Sequence, residues 1–188
     1  MERKEQIVET ATELLQTRSF SSFSYQDLSE RLGITKASIH HHFRSKKDLG
    51  KAVADRYHEQ VKALLDGAKA THDDPWDQLD GYFGMVTGIL RTGEKICAAG
   101  AVQAEVNVVP EGMAAEMASV IRFVVSWITD ILAAGRKRGV MEFPGKPQDQ
   151  AATIFCAMQG ALQLGRAQGQ QKLRTVIKQV KEAMKPRD

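Results

Sequence analysis

Apolar residues recur at helical spacing along most of the chain, and the strict alternation that marks a strand is missing. Ile7, Ala11, Leu14 and Leu15 predict a first helix over residues 3–17. The loop over 17–23 carries Phe20 and Phe23, which suit the core of a small module. Residues 24–47 then read as two short helices joined by a tight turn. Ser24 and Asp27 form an S-x-x-D capping signal. Leu28 and Leu32 lie one turn apart. Gly33 stands where a residue without Cβ lets the chain reverse. Thr35 caps the second helix, whose apolar face is Ile39 and Phe43. Packing that face on Leu28, Leu32 and Ile34 leaves Lys36, Ala37, Ser38, His40, His41 and His42 outside. Ser45 and Asp48 repeat the capping signal and open another helix.

That helix is long. Leu49, Val53, Tyr57, Val61 and Leu64 or Leu65 step by four residues from 46 to about 69. At roughly 1.5 Å per residue it exceeds about 30 Å, which makes it a strut between the first module and the rest. Pro75 ends it. Trp76, Leu79, Phe83, Val86 and Ile89 or Leu90 predict a helix over 75–92, with Gly81, Gly84 and Gly88 lowering its propensity. A short helix of small residues follows over 95–107, and Pro110 breaks the chain. Met113, Met117, Val120, Val124, Trp127, Ile128 and Ile131 mark a long helix from 111 to about 138, which Gly139 ends. After a connector over 140–147, the last two helices run over about 148–169 and 171–185. The expectation is an all-α protein.

Composition changes this picture little. The 188 residues allow one large or two small domains, and 43% hydrophobic with 26% charged residues is ordinary for a globular chain. Net charge is +3, so the whole chain does not announce a nucleic-acid partner. The distribution of charge says more. Arg31, Lys36, Arg44, Lys46, Lys47 and Lys51 crowd into one stretch against a single acid, Asp48. The paired short helices are a helix-turn-helix whose second helix suits the major groove. Lys46, in the first turn of the next helix, puts a cation beside free backbone N–H groups, which favours phosphate.

This stretch resembles the DNA-binding domain of the TetR family of transcriptional regulators. That domain follows a pattern close to D-[IL]-[AS]-x-x-[LAV]-G-[IV]-[ST]-x-x-[ST]-[IL]-[YH]-x-[HY]-F-x-[SN]-K-x-x-L. Asp27, Leu28, Ser29, Leu32, Gly33, Ile34, Thr35, Ser38, Ile39, His40, His42, Phe43, Ser45, Lys46 and Leu49 match it. The motif spans a minor part of the chain. Family members usually carry Gly where this chain has Ser19, so the end of the first helix is expected to be shaped differently.

The resemblance implies an N-terminal three-helix DNA-binding domain over 1–47, continued by the start of the fourth helix to about 61. A helical ligand-binding and dimerisation domain would occupy 48–188. Its implied DNA-binding set is Ser24, Tyr25, Gln26, Thr35, Lys36, Ala37, Ser38, His40, His41, His42 and Lys46. Gln26, Lys36, Ala37 and Ser38 would face base edges, while Tyr25, His40, His42 and Lys46 favour the backbone. The implied partners are a palindromic double-stranded DNA operator, a small-molecule effector of unnamed chemistry, and a second copy joined through the last two helices. Phe83, Val86, Leu90, Met117, Ile121, Val124, Trp127 and Phe155 suit a cavity wall, with Gln103 and Gln159 orienting a ligand. Residue by residue, most of them fit a plain bundle core as well. The implied protein is a repressor whose effector moves the long fourth helix and so releases the operator.

Other chemistry finds little support. There is no G-x-S-x-G, H-E-x-x-H, Walker or dinucleotide motif, so neither an enzyme nor a cofactor is expected. Adjacent helical residues point about 100° apart, so His40, His41 and His42 do not converge on a metal. Cys97 and Cys156 fit neither a metal spacing nor a disulfide framework, which suits a reducing, cytoplasmic compartment. Cys97, near Lys95, is a candidate redox residue, although a Cys among alanines also serves as a small buried hydrophobe. The alternative function is therefore a helical ligand- or redox-sensing protein whose hairpin does not read DNA specifically. No signal-peptide core opens the chain, and no apolar run approaching the roughly 20 residues of a membrane span is expected.

Overall fold

A computed structural model describes residues 2–91 and 95–186, and every regular element within them is helical. In chain order these are α1 (Arg3–Arg18), α2 (Tyr25–Leu32), α3 (Lys36–His42), α4 (Lys46–Thr71) and α5 (Pro75–Arg91). They continue with α6 (Ala98–Ala104), α7 (Glu111–Lys137), α8 (Pro147–Gln168) and α9 (Gln171–Glu182). Thr92, the end of the helix expected over 75–92, lies outside the described residues.

The caps read from sequence are in place. At α2 the Ser24 hydroxyl accepts from the Gln26 amide at 3.2 Å, and the Ser24 amide donates to the Asp27 carboxylate at 2.8 Å. Gly33 then takes φ 63, ψ 35, and the Ile34 amide closes the turn on the Ser29 carbonyl. Thr35 accepts from the Ser38 amide at 3.2 Å. Before α4, the Ser45 and Asp48 side chains satisfy each other's amides in the same reciprocal way.

The helix expected over 95–107 is shorter. Both backbone groups of Ile96 are engaged outside it: its amide donates to the Gln16 carbonyl and its carbonyl accepts from the Gln16 amide side chain, each at 3.1 Å. Residues 95–97 therefore run extended against α1. At the other end, turns replace helix from Glu105, leaving Val106 and Val108 exposed.

Packing divides the chain into two compact units. One comprises Met1–Val61 with Lys95–Val120, and the other Lys62–Glu94 with Ile121–Asp188. Residues 95–120 thus pack with the hairpin and the first part of α4. The first unit buries Ile7, Leu14 and Leu15 of α1 against Leu28, Ile39 and Phe43, with Leu49 and Val53 of α4 and Met113 and Met117 of α7 also in its core. Gly50 of α4 permits close approach: a Cβ there would lie 2.9 Å from the Phe20 ring and 3.1 Å from the Met113 sulfur.

The second unit buries Leu79, Tyr82 and Phe83 of α5, Ile128, Ile131 and Leu132 of α7, and Ile154, Met158 and Leu162 of α8. In α5, a Cβ on Gly81 would sit 2.6 Å from the Ala68 Cβ, so a small residue is required there; at Gly84 and Gly88 it would meet nothing within 4 Å. One expectation needs correction. A window of α7 reaches a mean hydropathy of 1.6, so this helix is long and apolar enough to cross a membrane by length and composition. Part of its apolar surface is taken up in packing: Met113, Met117 and Val120 in one unit, and Val124, Trp127, Ile128, Ile131 and Leu132 in the other, while Ile121, Phe123 and Val125 are half-buried.

Ser19 is the non-glycine residue with positive φ among the described residues. It caps α1 at φ 74, ψ 160, a region that favours glycine. The chain therefore keeps a glycine-like bend at this position despite the serine side chain. Ser19→Gly should relieve about 1 kcal/mol of backbone strain relative to Ser19→Ala, which loses the same hydroxyl, and melt about 2–4 °C above it. A calorimetric midpoint for Ser19→Gly at or below that of Ser19→Ala would contradict this.

Candidate nucleic-acid interface

The α2–α3 hairpin presents its expected outer row. Lys36, Ala37, His40 and His41 are exposed on α3, and Ser38 and His42 are half-buried. Gln26 is exposed on α2, with its side-chain amide donating to Glu30 at 2.6 Å. Ser24 and Thr35 sit at the helix starts with their hydroxyls engaged as caps.

Tyr25 and Lys46 are turned inward. The buried Tyr25 hydroxyl donates to the Phe43 carbonyl at 3.0 Å, and its ring meets His40 edge-on at 4.8 Å. Burial, with help from the Asp48 carboxylate, pushes this phenol up to about 12. The Lys46 ammonium lies between the Phe20 and Phe23 rings, 4.7 and 4.6 Å from their centroids. It donates to the Phe20 carbonyl at 2.6 Å and also to that of Phe23. Burial lowers its pKa, and Glu105 and Asp27 oppose that shift.

The remaining cations divide in two. Lys51 pairs with Asp55 at 2.6 Å, and Arg31 stands 3.9 Å from Glu13. Lys36, Arg44 and Lys47 are exposed, with no ion pair among the described residues. Arg44 and Lys47 flank the start of α4, where Lys46 was expected to supply the charge. Their signal in the sequence was the local crowding of basic residues.

The loop before α2 is gripped from a second side. The Glu105 carboxylate accepts from the Phe20 amide at 2.8 Å, the Ser21 amide at 3.2 Å and the Ser21 hydroxyl. Burial pushes the Glu105 pKa up, but the bonds from Ser21, Ser19 and Phe20 outweigh it and hold the carboxyl below its ordinary value. Lys95 pairs with Glu13 at 3.1 Å. Its neighbour Cys97 is buried, with its sulfur 3.7 Å from the Tyr57 hydroxyl.

The structure distributes the candidate pocket residues over both units. Phe83, Val86, Leu90, Val124 and Trp127 are buried in the second unit, where Ile121, Phe155 and Gln159 are half-buried. Met117 and Gln103 belong to the first, and the Gln103 side chain donates to the Ala114 carbonyl at 3.2 Å. Trp127 stands apart chemically. Its indole N–H is buried without an acceptor among the described residues, an uncommon condition that calls for one.

Residues 7–53 match the family model of bacterial regulatory proteins, tetR family. The HTH-type transcriptional repressor NemR of Escherichia coli (strain K12) is 26% identical over 169 residues, covering 84% of this chain and 81% of that protein. Among solved structures, a TetR-family transcriptional regulator from Agrobacterium tumefaciens is 28% identical, with a TM-score of 0.92 over 97% of each chain. A TetR transcriptional regulator from Legionella pneumophila, 23% identical, shares the fold at a TM-score of 0.89 over 98% of each chain.

The loop contacts make the domain's stability pH-dependent. A carboxyl held below its unfolded pKa stabilises the fold above that unfolded value and loses its contribution as pH falls through the folded one. Glu105→Gln should cost about 1 kcal/mol at neutral pH, and the gap should close below the ordinary carboxylate range. Urea unfolding across pH reads this out; a gap that does not vary with pH would contradict it.

Proposed function

This chain belongs to the tetR family of bacterial regulatory proteins, and we propose that it represses transcription by holding a two-fold DNA operator until a small molecule releases it. It is a DNA-binding transcriptional regulator. The family is one of transcriptional regulators. The observation that carries the reading is the outer row of α3, packed from behind and flanked by Arg44 and Lys47, which have no ion pair among the described residues. Gln26, Lys36, Ala37 and Ser38 reach base edges. Arg44 and Lys47, with His40, His41 and His42, contact phosphates. Tyr25 and Lys46 are positioning residues that fix the hairpin's frame. Residues 1–47, continued to about 61, form the DNA-binding part in this reading, and 48–188 the effector and dimer part.

Repression follows the resemblance to the transcriptional repressor NemR. A second copy docks on α8 and α9, where Leu164 is exposed and Phe155, Val176 and Val180 are half-buried in the single chain. A two-fold dimer reads two-fold-related half-sites on successive major grooves. The effector lies beside Trp127, whose unpartnered N–H favours an apolar molecule bearing an acceptor. α4 contributes to both compact units and is the coupling element, with effector and operator opposing each other by about 1–3 kcal/mol. The setting is cytoplasmic.

Fluorescence anisotropy on a random-sequence duplex across salt concentrations tests the phosphate assignments. Arg44→Ala and Lys47→Ala should each reduce the salt slope by about one unit. Lys46→Met should lower the unfolding midpoint and leave the slope near that of the parent. Unchanged slopes for both exposed variants, or a unit loss for Lys46→Met in the folded state, would reverse the assignment.

A further inference from the structure

α5 and α9 line an open cleft of about 730 Å³, within the range of small-molecule sites. Its apolar surface comes from Trp76, Phe83 and Ile177. The Trp76 indole N–H already donates to the Val140 carbonyl at 2.9 Å, so the ring contributes apolar surface and no free donor. Charge lines the other side. Lys181 binds both oxygens of Asp80 at 2.7 Å, and Lys185 pairs with Glu182 at 2.8 Å. Those pairs neutralise the cleft's acids. Arg174 and Lys178, one turn apart on α9, have no side-chain partner among the described residues and leave the cleft with an excess of positive charge. The same field reaches Glu182, whose carboxyl lies below its ordinary pKa through its bond to Lys185 and its charge, with Lys178 and Lys181 adding to it.

Gly84 also lines this cleft. Glycine inside a helix costs about 1 kcal/mol relative to alanine, and close packing does not require it at this position. A Cβ on Gly84 would enter open space, unlike one on Gly81, which would strike Ala68. Its bare backbone widens the cleft.

We propose that this cleft binds a small apolar anion, a carboxylate or similar group carried on an aromatic or alkyl body. The body lies on Trp76, Phe83 and Ile177 over the bare backbone of Gly84. The anionic head pairs with Arg174 and Lys178. The site is separate from the effector position assigned beside Trp127, and its test does not depend on operator binding.

The probe is 8-anilinonaphthalene-1-sulfonate, an apolar anion whose fluorescence is excited by energy transfer from a nearby indole. Titrated into the full-length protein, it should bind at one saturable site, with transfer that Trp76→Phe lowers, the remainder coming from Trp127. Decanoate should displace it, and decanol should do so at least about tenfold less well. Gly84→Leu should fill the cleft and abolish binding while holding or raising the unfolding midpoint, because leucine is the better helix former. The double variant Arg174→Gln, Lys178→Gln should weaken binding about tenfold, and it provides the test should Gly84→Leu fail to fold. Overturning results are transfer undiminished in Trp76→Phe, equal displacement by decanol, or parental affinity in folded Gly84→Leu or in the double variant.

Discussion

The loop between α1 and α2 carries backbone groups that need partners, and two distant side chains supply them. Lys46, from the start of α4, donates to the carbonyls of Phe20 and Phe23. Glu105, just past α6, accepts from the amides of Phe20 and Ser21. Unpaired buried donors and acceptors are costly, so this short loop holds α1, α2, α4 and α6 in one arrangement. The Phe20 ring and the Met113 sulfur both close on Gly50, which brings α4 and α7 to the same place. The orientation of the α2–α3 hairpin within its unit therefore depends on contacts that lie well outside the hairpin.

That constraint sorts the basic residues into two kinds. Lys46 is a structural cation, wedged between two aromatic rings and two carbonyls. Arg44 and Lys47, beside it in sequence, are exposed. An ammonium already hydrogen-bonded to its own domain would have to break those bonds to reach a phosphate, while an exposed one loses mainly side-chain entropy. Tyr25 follows the same logic through its bond to Phe43.

Local features were legible in the sequence because their causes are local. The Ser24–Asp27 and Ser45–Asp48 caps, the left-handed Gly33 and the Ile39–Phe43 face all act within a few residues, and each is where its spacing puts it. Contacts between distant residues were not legible. Nothing near Glu105 announces that it binds a loop 84 residues earlier, and nothing near Ile96 announces its pairing with Gln16, which shortens α6. Lys46, Arg44 and Lys47 look alike as letters and separate only once Phe20 and Phe23 have positions. The glycines of α5 likewise read as one interruption, yet Gly81 answers to packing and Gly84 to an open cleft. The candidate pocket set was drawn from apolar residues on several helices, and periodicity cannot say which compact unit each side chain joins.

The central claim is that a rigidly held α2–α3 hairpin reads DNA sequence as half of a two-fold pair. In vitro selection from a pool of randomised duplexes, using the full-length protein, tests it most directly. The account predicts enrichment of one inverted repeat whose half-sites are centred about one helical turn apart, or a multiple of it, with preference lost when Lys36, Ala37 and Ser38 are replaced together. Enrichment of no sequence, or of a single unrepeated site that the triple replacement leaves unchanged, would contradict it.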